Sequence, residues 1–311
     1  LTDTAFLNQK KDNIVAALFC HKSSIGAAWI SLSSGTFSMQ KINHNHIATL
    51  VARIQPTEIL ISESFEYYDS TLFGQMAITK LDEKEFKKNN HYERLKKYLK
   101  VSTYRDLKDN KMSSALNAAE AVLNYVEKTQ GKEIVHLNKI SIENSNEYLK
   151  LDNFTCRNLE LAETIYGQNH PTLYSLMDKC SSGMGSRWLR YSLYHPLRDR
   201  ISINKRLDAI ESLTRHRDIS LITEMDEVFK KLVDVERITS RIGLGTARPR
   251  DLSGLRDSLK LLPNLKNILD QLESERLNYL SQNLTNCEDV VNILENSILP
   301  RPAVFIREGN V

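Results

Sequence analysis

The hydrophobic pattern changes period once, near Ile142, and that change limits what the chain can fold into. Before it, short apolar runs alternate with helical patterns. After it, only helical spacing remains. Ile14 to Phe19 reads IVAALF and is predicted as a buried strand. Gly26 to Leu32 and Thr36 to Ile42 flank Ser33-Ser34-Gly35, a small-residue turn that predicts a β-hairpin. His46 to Ile54 places Ile47, Leu50, Val51 and Ile54 on one helical face, and Pro56 stops it. Glu58 to Ile61 and Met76 to Thr79 are predicted as a fourth and a fifth strand. Asp82 is expected to cap a basic helix running to about Lys100. Ser113 or Ser114 is expected to cap a further helix that carries Leu116, Ala119, Val122, Leu123 and Val126 inward and stops at Gly131.

Beyond Ile142 one amphipathic pattern follows another. Examples are Ile203, Leu207, Ile210 and Leu213; Ile219, Ile222, Met225 and Phe229; and Leu252, Leu255, Leu259 and Leu262. The breaks fall at Gly167 to Pro171, Ser181 to Gly185, His195-Pro196, Gly243 to Pro249 and Pro263. Six of the seven prolines lie in this half, mostly at helix ends, which predicts a packed helical array with short connections. The 311 residues therefore read as two domains, 1–140 and 141–311. The order of the first, three strands, a helix, a strand and further helices, is that of an RNase H-like α/β domain. The second is all-α.

Charge and cysteine usage narrow the function classes. Residues 1–140 hold 19 Lys and Arg against 15 Asp and Glu, and residues 141–311 hold 23 against 24. Neither half has the field of an autonomous DNA-binding domain. Cys20, Cys156, Cys180 and Cys287 are far apart and form no CxxC pair, which argues against a zinc site or a disulfide framework and fits a reducing cytoplasm. No apolar run approaches membrane-spanning length. Leu1 opens without an initiator methionine or a signal-peptide pattern, and Val311 follows a Gly309-Asn310 turn signal, so both ends read as cut from a longer chain.

Candidate chemistry is sparse. RNase H-like nucleases hold metal ions with carboxylates on the central strands. Here the first strand has none, the second has Ser31, and Asp12, Glu58 and Glu63 only bracket strands, so no metal-holding cluster is expected. Gly243 to Asp251, GLGTARPRD, lacks the GxxxxGK[ST] phosphate loop and is predicted as a helix–helix turn, with Asp251 capping the next helix. The basic segment carries Lys84, Lys87, Lys88, Arg94, Lys96, Lys97 and Lys100 with Tyr92 and Tyr98 interleaved. It is read first as a solvated face over Phe86, Leu95 and Leu99, and second as a phosphate-contacting helix. His44 and His46 belong to a surface turn, His195 terminates a helix before Pro196, and His136 and His170 stand alone. No catalytic, cofactor-binding or metal-ligating residue is assigned.

Two stretches carry a family resemblance. Leu151 to Leu161 reads LDNFTCRNLEL. Asp152 or Asn153 caps its helix, with Phe154, Leu159 and Leu161 expected inward. Met184 to Asp199 reads MGSRWLRYSLYHPLRD, a helix opened by Gly183 and Gly185 and stopped before Pro196. With TARPRDL at Thr246 to Leu252, these resemble the MutS family of DNA mismatch-repair ATPases, whose core domain opens with LD..T.RNLEL and a G.R.L....L..PL helix. Ser192 stands where many relatives have Trp, and Trp188 is expected to fill part of that volume. The resemblance implies a connector domain followed by the first part of the core domain.

What the resemblance implies for function belongs to the longer protein. Such a protein binds mispaired or looped DNA as a homodimer, uses ATP and Mg, and recruits MutL. The part present here would hold no cofactor and act as a mechanical link. MutS proteins read mismatches with a Phe-x-Glu in their first domain. Phe65-Glu66-Tyr67 lacks that spacing, so DNA binding by this part is expected to be weak and blind to mismatches. The connector, including the segment Lys84 to Lys100, is the expected MutL-facing surface. The alternative is the scaffold region of a MutS homologue acting in recombination.

Overall fold

A computed structural model describes residues 10–21, 24–67, 73, 76–87, 91–96, 98, 112–131, 134, 136–137, 140–144, 146–215 and 219–309. The chain forms two compact units. One comprises Leu1–Asp178 and Arg187–Pro196, and the other Lys179–Ser186 and Leu197–Val311.

The first unit is built on a six-stranded mixed sheet. Its strands are β1 (Ile14–His21), β2 (Ser24–Ser31), β3 (Phe37–Ile42), β4 (Glu58–Ser62), β5 (Ala77–Leu81) and β6 (Ile140–Ile142), in the order β5-β4-β1-β2-β3-β6. β1, β2 and β3 are antiparallel, with Ala17 opposite Ala28 and Ala28 opposite Met39. β4 is parallel to β1 and β5 to β4. The predicted strand order is therefore present. β6 is an addition that the sequence reading missed: three residues, ISI, are too few to show a period.

Alternate residues of each strand face opposite sides of the sheet, and both sides are covered. One face buries Val15, Ala17, Phe19, Ile30 and Leu60 under a long helix, Ser113–Gln130. The other buries Ala16, Leu18, Trp29, Ile59 and Ile61 under α1 (Ile47–Ile54). Burial on both faces explains the near-continuous apolar runs of β1 and β4. Gly26 sets the distance of the long helix. A Cβ there would lie 1.9 Å from the carbonyl carbon of Ser114, so only glycine lets the helix start rest on β2. That helix buries Leu116, Ala119, Val122, Leu123 and Val126, as expected, and ends at Gly131 with φ +70°. Its N-cap is Met112 rather than a serine, and Ser113 is its first residue.

The basic segment is not one helix. Between Asp82 and Lys96 it is α2 (Glu83–Phe86) and α3 (His91–Lys96), with Lys87 outside both; the long helix is thus α4. Lys88, Lys97, Leu99 and Lys100 lie outside the described residues. Asp82 does cap α2, accepting from the Lys84 amide at 2.8 Å. Phe86 and Leu95 are fully buried, as the solvated-face reading required. Arg94 turns to the protein: it pairs with the buried Glu120 at 2.7 Å and also holds Asn124 and Glu127. Lys87 pairs with Glu83 at 2.6 Å.

Residues 143–178 and 187–196 pack as part of the first unit. They supply α5 (Asn153–Asn158), α6 (Leu173–Met177) and most of α7 (Gly183–Tyr194). Asp152 caps α5, accepting from the Thr155 amide at 2.7 Å. The expected inward face of α5 is corrected. Phe154 and Leu159 are 77% and 56% exposed, whereas Cys156 and Leu161 are buried. The helix ends after six residues and Glu160 turns into the left-handed region at φ +46°, so Leu161 returns inward while Phe154 and Leu159 do not. Trp188 is also corrected: it is 55% exposed and stacks on Tyr191, filling no buried volume.

The described residues of the second unit are mainly helical: α8 (Arg200–Arg215), α9 (Ile219–Lys231), α10 (Val235–Gly243), α11 (Pro249–Leu259), α12 (Leu262–Asp270), α13 (Glu275–Asn283) and α14 (Glu288–Ser297). One core gathers Ala209, Leu221, Val228, Leu265, Ile268, Leu269 and Leu277. A smaller one joins Ile238, Leu255 and Leu294. The inward stripe of α8 runs through Ala209 and Leu213, not through Leu207 and Ile210, which are 56% and 57% exposed. Asp251 is likewise not the cap of α11. It sits at the third helical position and accepts from the Arg248 amide at 2.9 Å and from Arg241 at 2.7 Å, while Pro249 opens the helix. No described helix is long and apolar enough to cross a membrane.

Candidate functional site

α1 is two-sided. Ile47, Leu50, Val51 and Ile54 face the sheet, as their spacing predicts. Ala52 and Arg53 lie on the other flank, and both are buried. Ala52 joins Cys156, Leu161, Ala162, Tyr174 and Tyr194 in one apolar cluster, so α1 and the residues around α5 to α7 share a core. Burial pushes the Cys156 thiol up to about 11, which leaves it an uncharged packing group.

Arg53 is the polar counterpart of that contact. Its guanidinium lies 2.7 Å from the Glu143 carboxylate as an ion pair, and donates to Gln40 Oε1 at 3.0 Å. It also lies over the rings of Trp29, at 5.7 Å, and Tyr148, at 5.1 Å. A guanidinium this buried persists only when such partners replace its water. Glu143 is placed by the sheet: it directly follows β6, and its amide donates to the Met39 carbonyl at 3.0 Å. Burial raises the Glu143 carboxyl above its usual range, and the charge of Arg53 opposes that rise.

The chain of contacts continues into α7. The Tyr148 and Tyr191 hydroxyls are 3.3 Å apart. His195 stacks on Tyr191 with ring centroids 3.7 Å apart and meets Tyr148 edge-on. His195 Nδ1 lies 2.8 Å from the Tyr191 carbonyl, which only accepts, so this nitrogen carries the proton. Burial and then the charge of Arg53 lower the His195 pKa to about 3, and the ring is neutral. Burial also raises the Tyr191 phenol well above its ordinary value. The Leu149 amide donates to the Pro196 carbonyl at 2.9 Å. On α7, Arg190 donates to Gln55, which follows α1, at 2.8 Å and lies over the Tyr174 and Tyr194 rings. The arrangement holds no nucleophile–base pair. Each ring and charge in it has a defined neighbour.

The other residues weighed from sequence do not assemble. Asp12 accepts from the Ser31 hydroxyl at 2.6 Å. Glu58 accepts from the hydroxyls of Thr79, at 2.5 Å, and Tyr125, at 2.6 Å. Glu63 follows β4 at the end opposite Glu58, so the strand itself separates them. His44 stacks on Tyr67, and His46 Nε2 lies 3.3 Å from Lys150. Among the described residues no three His, Cys, Asp or Glu come together as a metal-holding group. Phe65 is buried against Tyr67 rather than presented as a wedge. His195 ends α7 as read, the helix stopping at Tyr194, and its buried ring also belongs to this cluster. Arg53, Glu143 and Tyr148 gave no sequence signal: a lone arginine on an amphipathic helix and two polar residues in a connecting stretch fit any surface.

Comparison with known families separates the two ends of this cluster. Residues 13–141, which contain Arg53, match the model of MutS domain II, and residues 154–311, which contain Tyr191 and His195, match that of MutS domain III. Glu143 and Tyr148 lie between the two matches. With both domains matched in the order the LD..T.RNLEL resemblance implies, this chain belongs to the MutS family.

Proposed function

We propose that the chain is the coupling portion of a MutS-type mismatch-repair protein, passing conformational change between distant sites without performing chemistry. The observation that supports this reading is the chain of contacts from Arg53, paired with Glu143 and lying over Tyr148, through Tyr191 to His195, which joins the domain II match to the domain III match. Coupling needs packed elements with fixed neighbours, and a buried ion pair flanked by stacked rings is such an element.

In this reading the whole protein works in the cytoplasm as a homodimer. It binds mispaired DNA, hydrolyses ATP with Mg, and recruits MutL. The residues here hold neither the nucleotide nor the metal. The connector's outer surface, Lys84 and Lys96 included, faces MutL.

The test is made in the full-length protein. Arg53→Met with Glu143→Gln removes the ion pair while keeping the site neutral. Stimulation of ATP turnover by mismatched DNA should fall about tenfold, within the usual range of coupling energies, with basal turnover and mismatch affinity unchanged. Unchanged stimulation in a folded variant would refute the coupling role.

A further inference from the structure

A cleft in the first unit lies beside the Arg53 cluster, bounded by the approach to β1, the end of α1 and the face of α7. Its internal volume is about 80 Å³, and it opens to solvent. Its lining carries Lys10, Lys11, Arg53, Arg187 and Arg190 against one carboxylate, Asp12. Asp12 already accepts from Ser31. Lys10 and Arg53 have carboxylate partners, Asp178 at 2.6 Å and Glu143 at 2.7 Å. Arg190 does not. Its contacts are an amide oxygen and two aromatic faces, with no carboxylate in ion-pair distance among the described residues. Arg187 and Arg190 stand one helical turn apart on α7, so both project to the same side.

We infer that this cleft binds a small phosphoryl anion, a phosphate or diphosphate group, between the start of β1 and α7. Guanidinium forks match phosphoryl oxygens in pairs, and a recessed, partly dry site strengthens each contact. The lining is too deep for a duplex: Arg53, Arg187 and His195 are 8%, 7% and 5% exposed. His195 supplies selectivity. Its Nδ1–H is committed to the Tyr191 carbonyl, which leaves Nε2 as the acceptor nitrogen of a residue that lines the cleft. A hydrogen phosphate or hydrogen diphosphate carries a P–OH that can donate to that nitrogen. Sulfate at neutral pH has no proton to offer.

The experiment uses the full chain in a phosphate-free, low-salt buffer. Inorganic phosphate, pyrophosphate and sulfate are titrated by calorimetry at matched ionic strength, with the His195 ring followed by NMR. Pyrophosphate should bind one to one, raise the melting temperature by mass action and move the His195 ring resonances. Sulfate should bind at least about tenfold more weakly, a difference of about 1.4 kcal/mol. Arg190→Gln should weaken pyrophosphate by a similar factor; Lys11→Gln serves the same purpose if Arg190→Gln does not fold. Lys150→Gln, on a residue that does not line the cleft, should change nothing. Equal binding of sulfate and pyrophosphate, no response of His195, or unaltered affinity in a folded Arg190→Gln or Lys11→Gln protein would overturn the site. Displacement of pyrophosphate by duplex DNA at equal phosphate concentration would overturn the assignment to a small anion.

Discussion

Arg53 and Glu143 form an ion pair at 2.7 Å with both side chains about nine-tenths buried, although 90 residues separate them in the chain. Arg53 comes from a helix on one face of the sheet, and Glu143 from the residue just past the last strand. Removing one partner leaves the other charged and dry. Arg53→Met should therefore destabilise the chain by about 3–5 kcal/mol. Adding Glu143→Gln should recover part of that loss. Denaturant melts of the two single variants and the double variant give the coupling energy, and strict additivity would show that the pair does not interact.

His195 makes stability depend on pH. Its folded pKa, about 3, lies below the ordinary value of 6.5. Between these values the unfolded chain binds a proton that the folded chain refuses. The contribution of the buried neutral ring is thus complete above about pH 6.5 and is lost as pH falls toward 3. The slope is up to about 1.4 kcal/mol per pH unit. His195→Phe should flatten the stability curve in that window. A wild-type slope retained in the variant would place the titration elsewhere.

Gly26 should tolerate no side chain. The added Cβ of Gly26→Ala would sit 1.9 Å from the backbone of Ser114, and backbone cannot swing aside. A loss of at least about 3 kcal/mol is expected, at the upper end of overpacking effects. Amide exchange should quicken first in the opening turns of α4. A melting temperature equal to that of the parent chain would contradict the close approach.

Arg256 should hold the segment after α14. Its guanidinium, 7% exposed, lies 3.3 to 3.4 Å from the carbonyls of Ile298, Leu299 and Pro300. These carbonyls accept the guanidinium's hydrogen bonds where no helix continues. Arg256→Leu should cost about 1–3 kcal/mol and bring forward proteolytic cleavage between residues 298 and 305. Cleavage at an unchanged rate would mean that the segment is held by other contacts.

Much of the fold was legible because local pattern and burial agree. The apolar runs of β1 and β4, the Ser33-Ser34-Gly35 turn and the stripe of α4 each state their own structure through spacing. Asp152 capped its helix for the same local reason. The errors arose where a position's environment is set by residues far away. Leu207 and Phe154 are apolar and correctly spaced, yet exposed, because α8 makes its contacts through Ala209 and Leu213, and α5 through Cys156. β6 was invisible because three residues gain a strand only from the edge of β3 beside them.

The sequence by itself determined the α/β-then-helical order, the helix stops and, through LDNFTCRNLEL and its companions, the family. Those features depend on neighbours within a few residues, where spacing and capping chemistry act. Only the tertiary structure decided that Arg53, Glu143, Tyr148, Tyr191 and His195 meet. Their encounter depends on which flank of α1 is left over once its apolar face has taken the sheet, and on where β6 delivers the chain. A buried charge finds its partner by elimination of water, and no local pattern records which distant residue will be there.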